Sequence, residues 1–457
     1  MEVNINEEKF IDKFRRVALP IAIQSLIAAS LNFVDTLLVG HLGEAQLAAV
    51  GFSTQFAFIF WMIIFGFTGG TMTYMAQFFG KNDMVNIRRV TGIAVTVSFL
   101  IGLGFFCACF FAPEKVLGIY TNIPEVIEMG IPFIQLISFI YLTWCLSMPL
   151  MSALKATQQT VLPMRIGIIV FSTNTILCLL LINGYFGAPK MGIMGAAIAT
   201  VASRCLELTL YLIVIFGRKN VIMGPVKQFF SWSRGLFLRV IQNAWPTTAN
   251  EMFWAVGTSM YIAAYGRMGV TEAASVQAGN TIFSLFSLAC FAIGDAMLIL
   301  CGEKLGQGKL QEAFDLGKRI LRISVIVGAA AGGLLVATSW IIVKAFRFSE
   351  LGTYYTTVIL IVYGCILFVK IHNGSIVTGA LRAGGDTRIA MFYDIGTVWF
   401  IGVPLAFTGA LLLHLPIYLV VAIVQTEEIV KFFLLRRRFN SKIWVKDLVE
   451  NIPIQEK

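Results

Sequence analysis

The chain has 457 residues, of which 58% are hydrophobic and only 13% charged, with a formal net charge of +10 and a mean hydropathy of +0.81. An ordinary soluble domain is about a quarter Asp, Glu, Lys and Arg, so this composition excludes a water-soluble globular protein. A nucleic-acid partner, a common reading of a basic chain, is not needed either, because the basic residues sort to one side of the apolar runs.

A membrane-crossing helix takes about 20 apolar residues, and twelve such runs follow one another. They cover 17–39, 46–70, 90–112, 126–149, 163–186, 192–216, 240–265, 273–300, 320–346, 353–379, 388–413 and 415–435. None shows the alternating ten-residue pattern of a barrel strand, which leaves helices as the spanning structure. The first 16 residues are polar and the run after them has no small-residue cleavage site. That predicts a retained first helix, not a signal peptide.

With both termini in the cytoplasm, the inner segments collect Lys13, Arg15, Arg16, Lys81, Arg88, Arg89, Arg382, Arg388 and Arg436 to Arg438 among others. The outer loops keep only Lys115, Lys190, Arg267, Lys344 and Arg347. This asymmetry is the positive-inside rule and accounts for the net charge; the expected location is the plasma (inner) membrane of a prokaryote, as a multi-pass protein. The basic end at Arg436 to Arg438 suits anionic lipid head groups. All eight cysteines fall in or beside the runs and none forms a CxxC pair, so neither a disulfide framework nor a zinc site is expected.

An offset of 226 superimposes Ala18 on Ala244, Pro20 on Pro246, Gly40 on Gly266 and Gly80 on Gly306. An offset of 227 lays SALKATQQTVLPM (Ser152 to Met164) on GALRAGGDTRIAM (Gly379 to Met391). The chain is therefore an internal duplication with an even number of spans in each half, a parallel repeat about an axis along the membrane normal. The expected fold is an all-α membrane protein of twelve transmembrane helices in two duplicated six-helix bundles around a central cavity. The expected domains are lobes at 1–216 and 240–435, a cytoplasmic linker at 217–239 containing Gly224-Pro225, and a basic tail at 436–457.

The stretches LPIAIQSLIAASLNFVDTLLVGHLGEAQLAAVG, SALKATQQTVLPMR, GIMGAAIATVASR, NEMFWAVGTSMYIAAYGRMG and GALRAGGDTR together resemble multidrug and toxic compound extrusion (MATE) transporters over nearly the full length. The resemblance implies export of small organic cations driven by inward Na⁺ or H⁺ movement. It also implies acids and amides at set places: Asp35 in helix 1, Asn174 in helix 5 and Glu251 in helix 7. Cys178 stands where a second Asn or an Asp is usual, and helix 10 has Lys370, His372 and Asn373 where an Asp is usual.

A charge at the bilayer centre costs about 2.5 to 3.5 kcal/mol on insertion scales, so each intramembrane charge needs a partner, water or a function. Asp35 shares a polar stripe with Gln24, Ala28 and Asn32 at helical spacing. It either binds Na⁺ or a proton, with Asn174 and Thr200 as neutral oxygens, or is an acid wetted at the outer interface. Glu251 shares a face with Thr247, Trp254 and Thr258. It either attracts an organic cation together with the Trp254 ring, or hydrogen-bonds another helix. Asp394 in helix 11 is a further substrate candidate, and Asp295 suits an inner mouth. Lys370 either pairs with Glu251 or Asp394 or snorkels inward, while His372 titrates in the physiological range. Phe283 is a candidate cavity aromatic, with Trp61, Met62, Phe65 and Phe286 beside it. Arg204 with Glu207, and Glu427 and Glu428 with Lys431, have helical pairing distances and are expected to neutralise one another near the cytoplasmic ends.

The site expectation is thus ion coupling at Asp35, Asn174, Thr200 and Glu251, and substrate contact at Glu251, Trp254, Asp394, Lys370, His372 and Phe283. No cofactor is expected beyond the coupling Na⁺ or H⁺, and no metal beyond Na⁺ at Asp35. The expected partners are small organic cations and membrane lipids, with a monomer as the working unit. An enzyme is not expected, since HExxH and clustered metal ligands are missing from the sequence. The alternative is a flippase for lipid-linked precursors, whose anionic cargo demands several basic cavity residues.

Overall fold

The computed structural model describes residues 2–40, 44–120, 124–187, 189–217, 220–344, 348–450 and 452, and among the side chains omits 2–9, 32, 33, 35–37, 39, 40, 44–49, 125 and 186. Among the described residues there is no strand. Twelve helical rods follow the twelve expected runs. They are α1 (Glu2–Gly40), α2 (Glu44–Gly80), α3 (Met84–Phe111), α4 (Pro124–Ile137 and Phe139–Ala156), α5 (Val161–Asn183) and α6 (Ile193–Leu212). The second half holds α7 (Arg234–Gly266), α8 (Val270–Gly306), α9 (Leu310–Val343), α10 (Glu350–Gly374), α11 (Thr387–Thr397) and α12 (Ile417–Val424 and Thr426–Asn440).

Local chemistry fixes several ends. Asp83 accepts from the main-chain N–H of Asn86 at 3.0 Å to start α3, and Ser349 accepts from that of Gly352 at 3.2 Å to start α10. Such caps satisfy donors that the first helical turn leaves over. Pro20 and Pro246, matched in the repeat, both lie inside their helices; a membrane helix tolerates them where neighbouring groups satisfy the freed carbonyls. α10 and α11 continue through wide π-helical turns at Ser375–Leu381, Val398–Gly402 and Thr408–Leu412. Such turns often accompany functional sites.

Ten of the rods are long and apolar enough to cross a membrane by length and composition. α7 and α12 are the two that fall short. The cause is polar content: Asn243, Asn250 and Glu251 on α7, and Gln425, Glu427, Glu428 and Lys431 on α12.

The chain divides into two compact units. The N-terminal unit comprises Ile23–Met75 and Asn82–Ile241. Its core gathers Phe60, Phe105 and Tyr141, with the Phe60 ring 4.9 Å from Tyr141 and 5.2 Å from Phe105. The expected linker is not a free connection. Arg88 on α3 donates to the Ile222 carbonyl at 2.9 Å and to the Gln228 side chain at 2.8 Å. The short helix Val226–Phe229 then lies so close to α3 that a methyl on Gly92 would stand 1.6 Å from the Phe229 carbonyl oxygen.

The C-terminal unit comprises Met1–Ala22, Ala76–Lys81 and Gln242–Pro453, so the start of α1 and the end of α2 pack with the second half of the chain. Lys13 bonds Glu303 at 2.6 Å. The segment after α12, part of the expected basic tail, folds back into this unit. Trp444 and Val449 are fully buried, and the Trp444 ring N–H donates to the Phe439 carbonyl at 3.0 Å. Gly384 permits this approach, since a methyl there would meet the Trp444 carbonyl oxygen at 1.5 Å. Arg438 holds Asp386 through two bonds of 2.6 and 2.9 Å. Gln77 at the end of α2 ties the returning segment in place. Its amide donates to the carbonyls of Ala383 at 2.7 Å and Lys446 at 3.2 Å, and its oxygen accepts from the Leu448 N–H at 2.7 Å.

Candidate functional site: a buried ion network

α7, α10, α11 and α12 bring together charges that are far apart in sequence. Glu251 of α7 and Arg382, just beyond α10, form an ion pair with side chains 9% and 3% exposed. Beside it, Lys431 of α12 lies 2.8 Å from Asp394 of α11 and 3.4 Å from Glu428 one turn back on its own helix. Asn250, next to Glu251, donates its amide to the other Asp394 oxygen at 3.0 Å. Asn373 of α10 donates to the Glu428 carboxylate and to its main-chain carbonyl, both at 2.8 Å. Tyr261 of α7 donates its hydroxyl to Glu427.

Periodicity explains each placement locally. Asn250, Glu251, Trp254 and Thr258 fall on adjoining turns of α7, and Thr258 spends its hydroxyl on the Trp254 carbonyl at 3.1 Å. Glu427, Glu428 and Lys431 are one turn apart. Burial does the rest: a carboxylate removed from water needs a charged or hydrogen-bonding partner, and each acid here has one.

The four carboxylates, Glu251, Asp394, Glu427 and Glu428, face two cations bonded within the network, Arg382 and Lys431. Fully ionised, the set is net −2. In a medium of low dielectric that excess is expensive, so the network has a standing affinity for protons or cations.

The sequence expectations are met unevenly. Glu251 and Asp394 are brought into one network, and the pairing of Glu428 with Lys431 is present at 3.4 Å. Arg204 bonds Glu207 at 2.7 Å, as their spacing foretold. Three expectations need correction. Arg382, counted among inner basic residues, is 2% exposed. It pairs with Glu251, one of the two acids offered as options for Lys370, at the end of α10. Lys431 makes its shorter bond to Asp394, not to its own helix. Lys370 instead stands over the Phe283 ring, 4.9 Å from its centre, so these two candidates do meet one another. His372 is 5% exposed with its ring 4.8 Å from Phe432, inside the protein and not at an aqueous surface. Trp254 is half-buried on the same helix as Glu251.

In the N-terminal unit, Asn174 is 1% exposed and donates to the Thr200 hydroxyl at 3.4 Å, while Cys178 lies 3.6 Å from its oxygen. Two of the residues expected to act together therefore touch one another. Asp35 is helical, and its side chain lies outside the described residues. Trp61 stacks on Phe65 at 5.3 Å in the same unit. The residues missed from sequence, Arg382, Asn250 and Asn373, carried one usable signal: each is a polar group within three residues of an apolar run or inside one.

Comparison with known proteins follows the same outline. The MatE family model matches residues 20–180 and again 246–408, the second match beginning 226 residues after the first. The uncharacterized transporter YisQ of Bacillus subtilis is 23% identical over 431 residues, 93% of each chain. The probable multidrug resistance protein NorM of Rhizobium meliloti is 25% identical over 403 residues, 82% of each chain. Among solved structures, an outward-facing multidrug resistance MATE family transporter superposes with a TM-score of 0.85 at 15% identity, covering 94% of this chain and 96% of its own. A MOP superfamily transporter from Pyrococcus furiosus gives 0.84 at 16% identity, with the same coverage. These two likenesses concern the fold.

Proposed function

The chain belongs to the MatE family of membrane transporters, and from that premise we propose that it is a secondary-active antiporter exporting small, mostly cationic organic compounds in exchange for H⁺ or Na⁺. The observation that carries this reading is the excess of carboxylates over fixed cations in the buried network of the C-terminal unit. An inward ion moving through 100 mV releases about 2.3 kcal/mol per charge, enough to drive a useful outward gradient. When protons or an ion neutralise the acids, their attraction for a cationic cargo falls and the cargo leaves. Multidrug resistance names among the relatives support the cargo class.

Arg382 keeps Glu251 oriented and partly neutralised, so a cationic compound competes with a fixed guanidinium. Lys370 over Phe283 offers a second such competition at an aromatic face. In the N-terminal unit, Asn174 and Thr200 are poised as neutral oxygens, and Asp35 completes that site in this reading. The protein works as a monomer in a prokaryotic plasma membrane with both termini in the cytoplasm. The flippase alternative is not favoured, because both buried cations of the network are already bonded to acids.

The test is purified protein in liposomes with imposed pH and Na⁺ gradients, followed by efflux of a cationic dye. Efflux should require at least one gradient and fall in Asp35→Asn and Glu251→Gln. Wild-type efflux in both variants would end the assignment of those acids, and efflux indifferent to every ion gradient would end the antiport reading.

A further inference from the structure

We propose that Lys431 is a tethered counter-ion standing where a monovalent cation would otherwise sit, so that the acids of the C-terminal unit exchange protons and do not take up Na⁺. The proposal takes its physiological meaning from the transport reading above, but it concerns binding and is tested as binding.

The geometry is that of an occupied cation position. The Lys431 ammonium lies between Asp394 at 2.8 Å and Glu428 at 3.4 Å, on a side chain 3% exposed. Each carboxylate is braced from the far side by an amide: Asn250 on Asp394 at 3.0 Å and Asn373 on Glu428 at 2.8 Å. An inorganic cation of Ca²⁺ size sits about 2.3–2.6 Å from its oxygen ligands, and Na⁺ is of similar size. The ammonium takes that position with the same unit charge and a somewhat larger radius. A Na⁺ added here would stand within about 4 Å of a second positive charge in a poorly screened interior. A proton has no such conflict, since it can join a carboxylate oxygen without displacing the lysine.

A second observation concerns an oxygen that remains. The side-chain oxygen of Asn250 is buried and has no hydrogen-bond partner among the described residues, and the residue is 4% exposed. Buried polar atoms nearly always find partners. The Asn250 amide that braces Asp394 therefore has a neutral oxygen to offer a cation once the lysine is removed and the amide turns over. Several other charged or titratable groups of these helices have contacts of their own. Glu427 accepts from Tyr261, Glu251 pairs with Arg382, Lys370 stands over Phe283, and His372 and Arg436 lie against the Phe432 ring. A lysine suits the role better than an arginine, being a compact point charge and not a planar fork.

The experiment compares thermal unfolding of purified wild type and Lys431→Gln in detergent as NaCl replaces KCl at constant ionic strength, with choline avoided because it resembles a cargo. Wild type should show no Na⁺-specific shift that depends on Asp394. Lys431→Gln should gain a saturable rise in melting temperature, about 2 °C or more at ten times its Kd, and adding Asp394→Asn should abolish that rise. The double variant Glu428→Gln/Lys431→Gln removes one charge of each sign; it serves if the single variant does not fold, with the same gain expected. A wild-type Na⁺ shift that Asp394→Asn removes, or no gain in whichever lysine variant folds, overturns the proposal. Failure of the antiport reading shows separately, as dye efflux indifferent to ion gradients, and leaves these binding results standing.

Discussion

Replacing Arg382 by Gln removes one partner of an ion pair whose side chains are 3% and 9% exposed. Two charges about 4 Å apart attract by about 4 kcal/mol at an effective dielectric of 20, but most of that is offset by the cost of taking both from water. The measurable loss comes from the survivor: a buried charge left without its partner costs about 3–5 kcal/mol. At about 2 °C per kcal/mol for a large folding unit, Arg382→Gln should melt roughly 6–10 °C below wild type, and Glu251→Gln should fall similarly. Removing both charges together leaves nothing uncompensated, so Glu251→Gln/Arg382→Gln should lose less than the sum of the singles by about 2 kcal/mol or more. Differential scanning fluorimetry on the four proteins of this cycle measures the coupling directly. If each single variant costs under about 1 kcal/mol and the two effects add, the pair is no buried ion bridge and the reasoning fails.

Further outcomes follow from other parts of the C-terminal unit. Trp444→Ala empties a fully buried site and should cost about 3–5 kcal/mol, seen as a lowered melting temperature. Gln77→Ala strips the Leu448 N–H and the Ala383 carbonyl of their partner, at about 1–3 kcal/mol for each group left buried. Trypsin should then cut at Lys442 or Lys446 several times faster than in wild type. Exchanging amide and acid across α10 and α12 preserves the Asn373 to Glu428 contact. Asn373→Asp with Glu428→Gln should therefore restore dye efflux that Asn373→Asp alone depresses by placing two carboxylates face to face.

Much of the fold was legible because membrane helices obey one strong rule, that every backbone polar group be satisfied within the segment. Apolar length located ten of the rods outright and outlined the more polar α7 and α12, and residues with special backbone roles, such as Pro20 and Pro246, exposed the duplication. Local pairings were legible too, since Arg204 and Glu207 need only helical spacing. Long-range partners were not. Lys431 and Asp394 are 37 residues apart and Arg382 and Glu251 131 apart, and no periodicity connects separate helices. Arg382 misled for a definite reason: a basic residue at the end of an apolar run reads as a loop charge, whereas the π-helical turn at Ser375–Leu381 carries the helix onward and keeps it buried. The returning tail was obscured by its own composition, because Lys442, Lys446 and Asp447 mark it as solvated while Trp444 and Val449 anchor it.

Helix 10, where the resemblance implies an acid, carries Lys370, His372 and Asn373. There Asn373 holds Glu428 of α12 through its amide, so a carboxylate meets this helix without being carried by it. The repeat shows the same economy elsewhere. Under the offset of 227, Arg382 corresponds to Lys155, and both are buried, at 2% and 9% exposure. Under the offset of 226, Asp35 corresponds to Tyr261, which reaches a carboxylate on α12 in place of carrying one, while Glu251 corresponds to Ser25. A buried cation thus survives at matching positions in both halves, while the acids were placed independently. That is the arrangement expected if the duplicated scaffold supplies the helices and each half tunes its own ion chemistry.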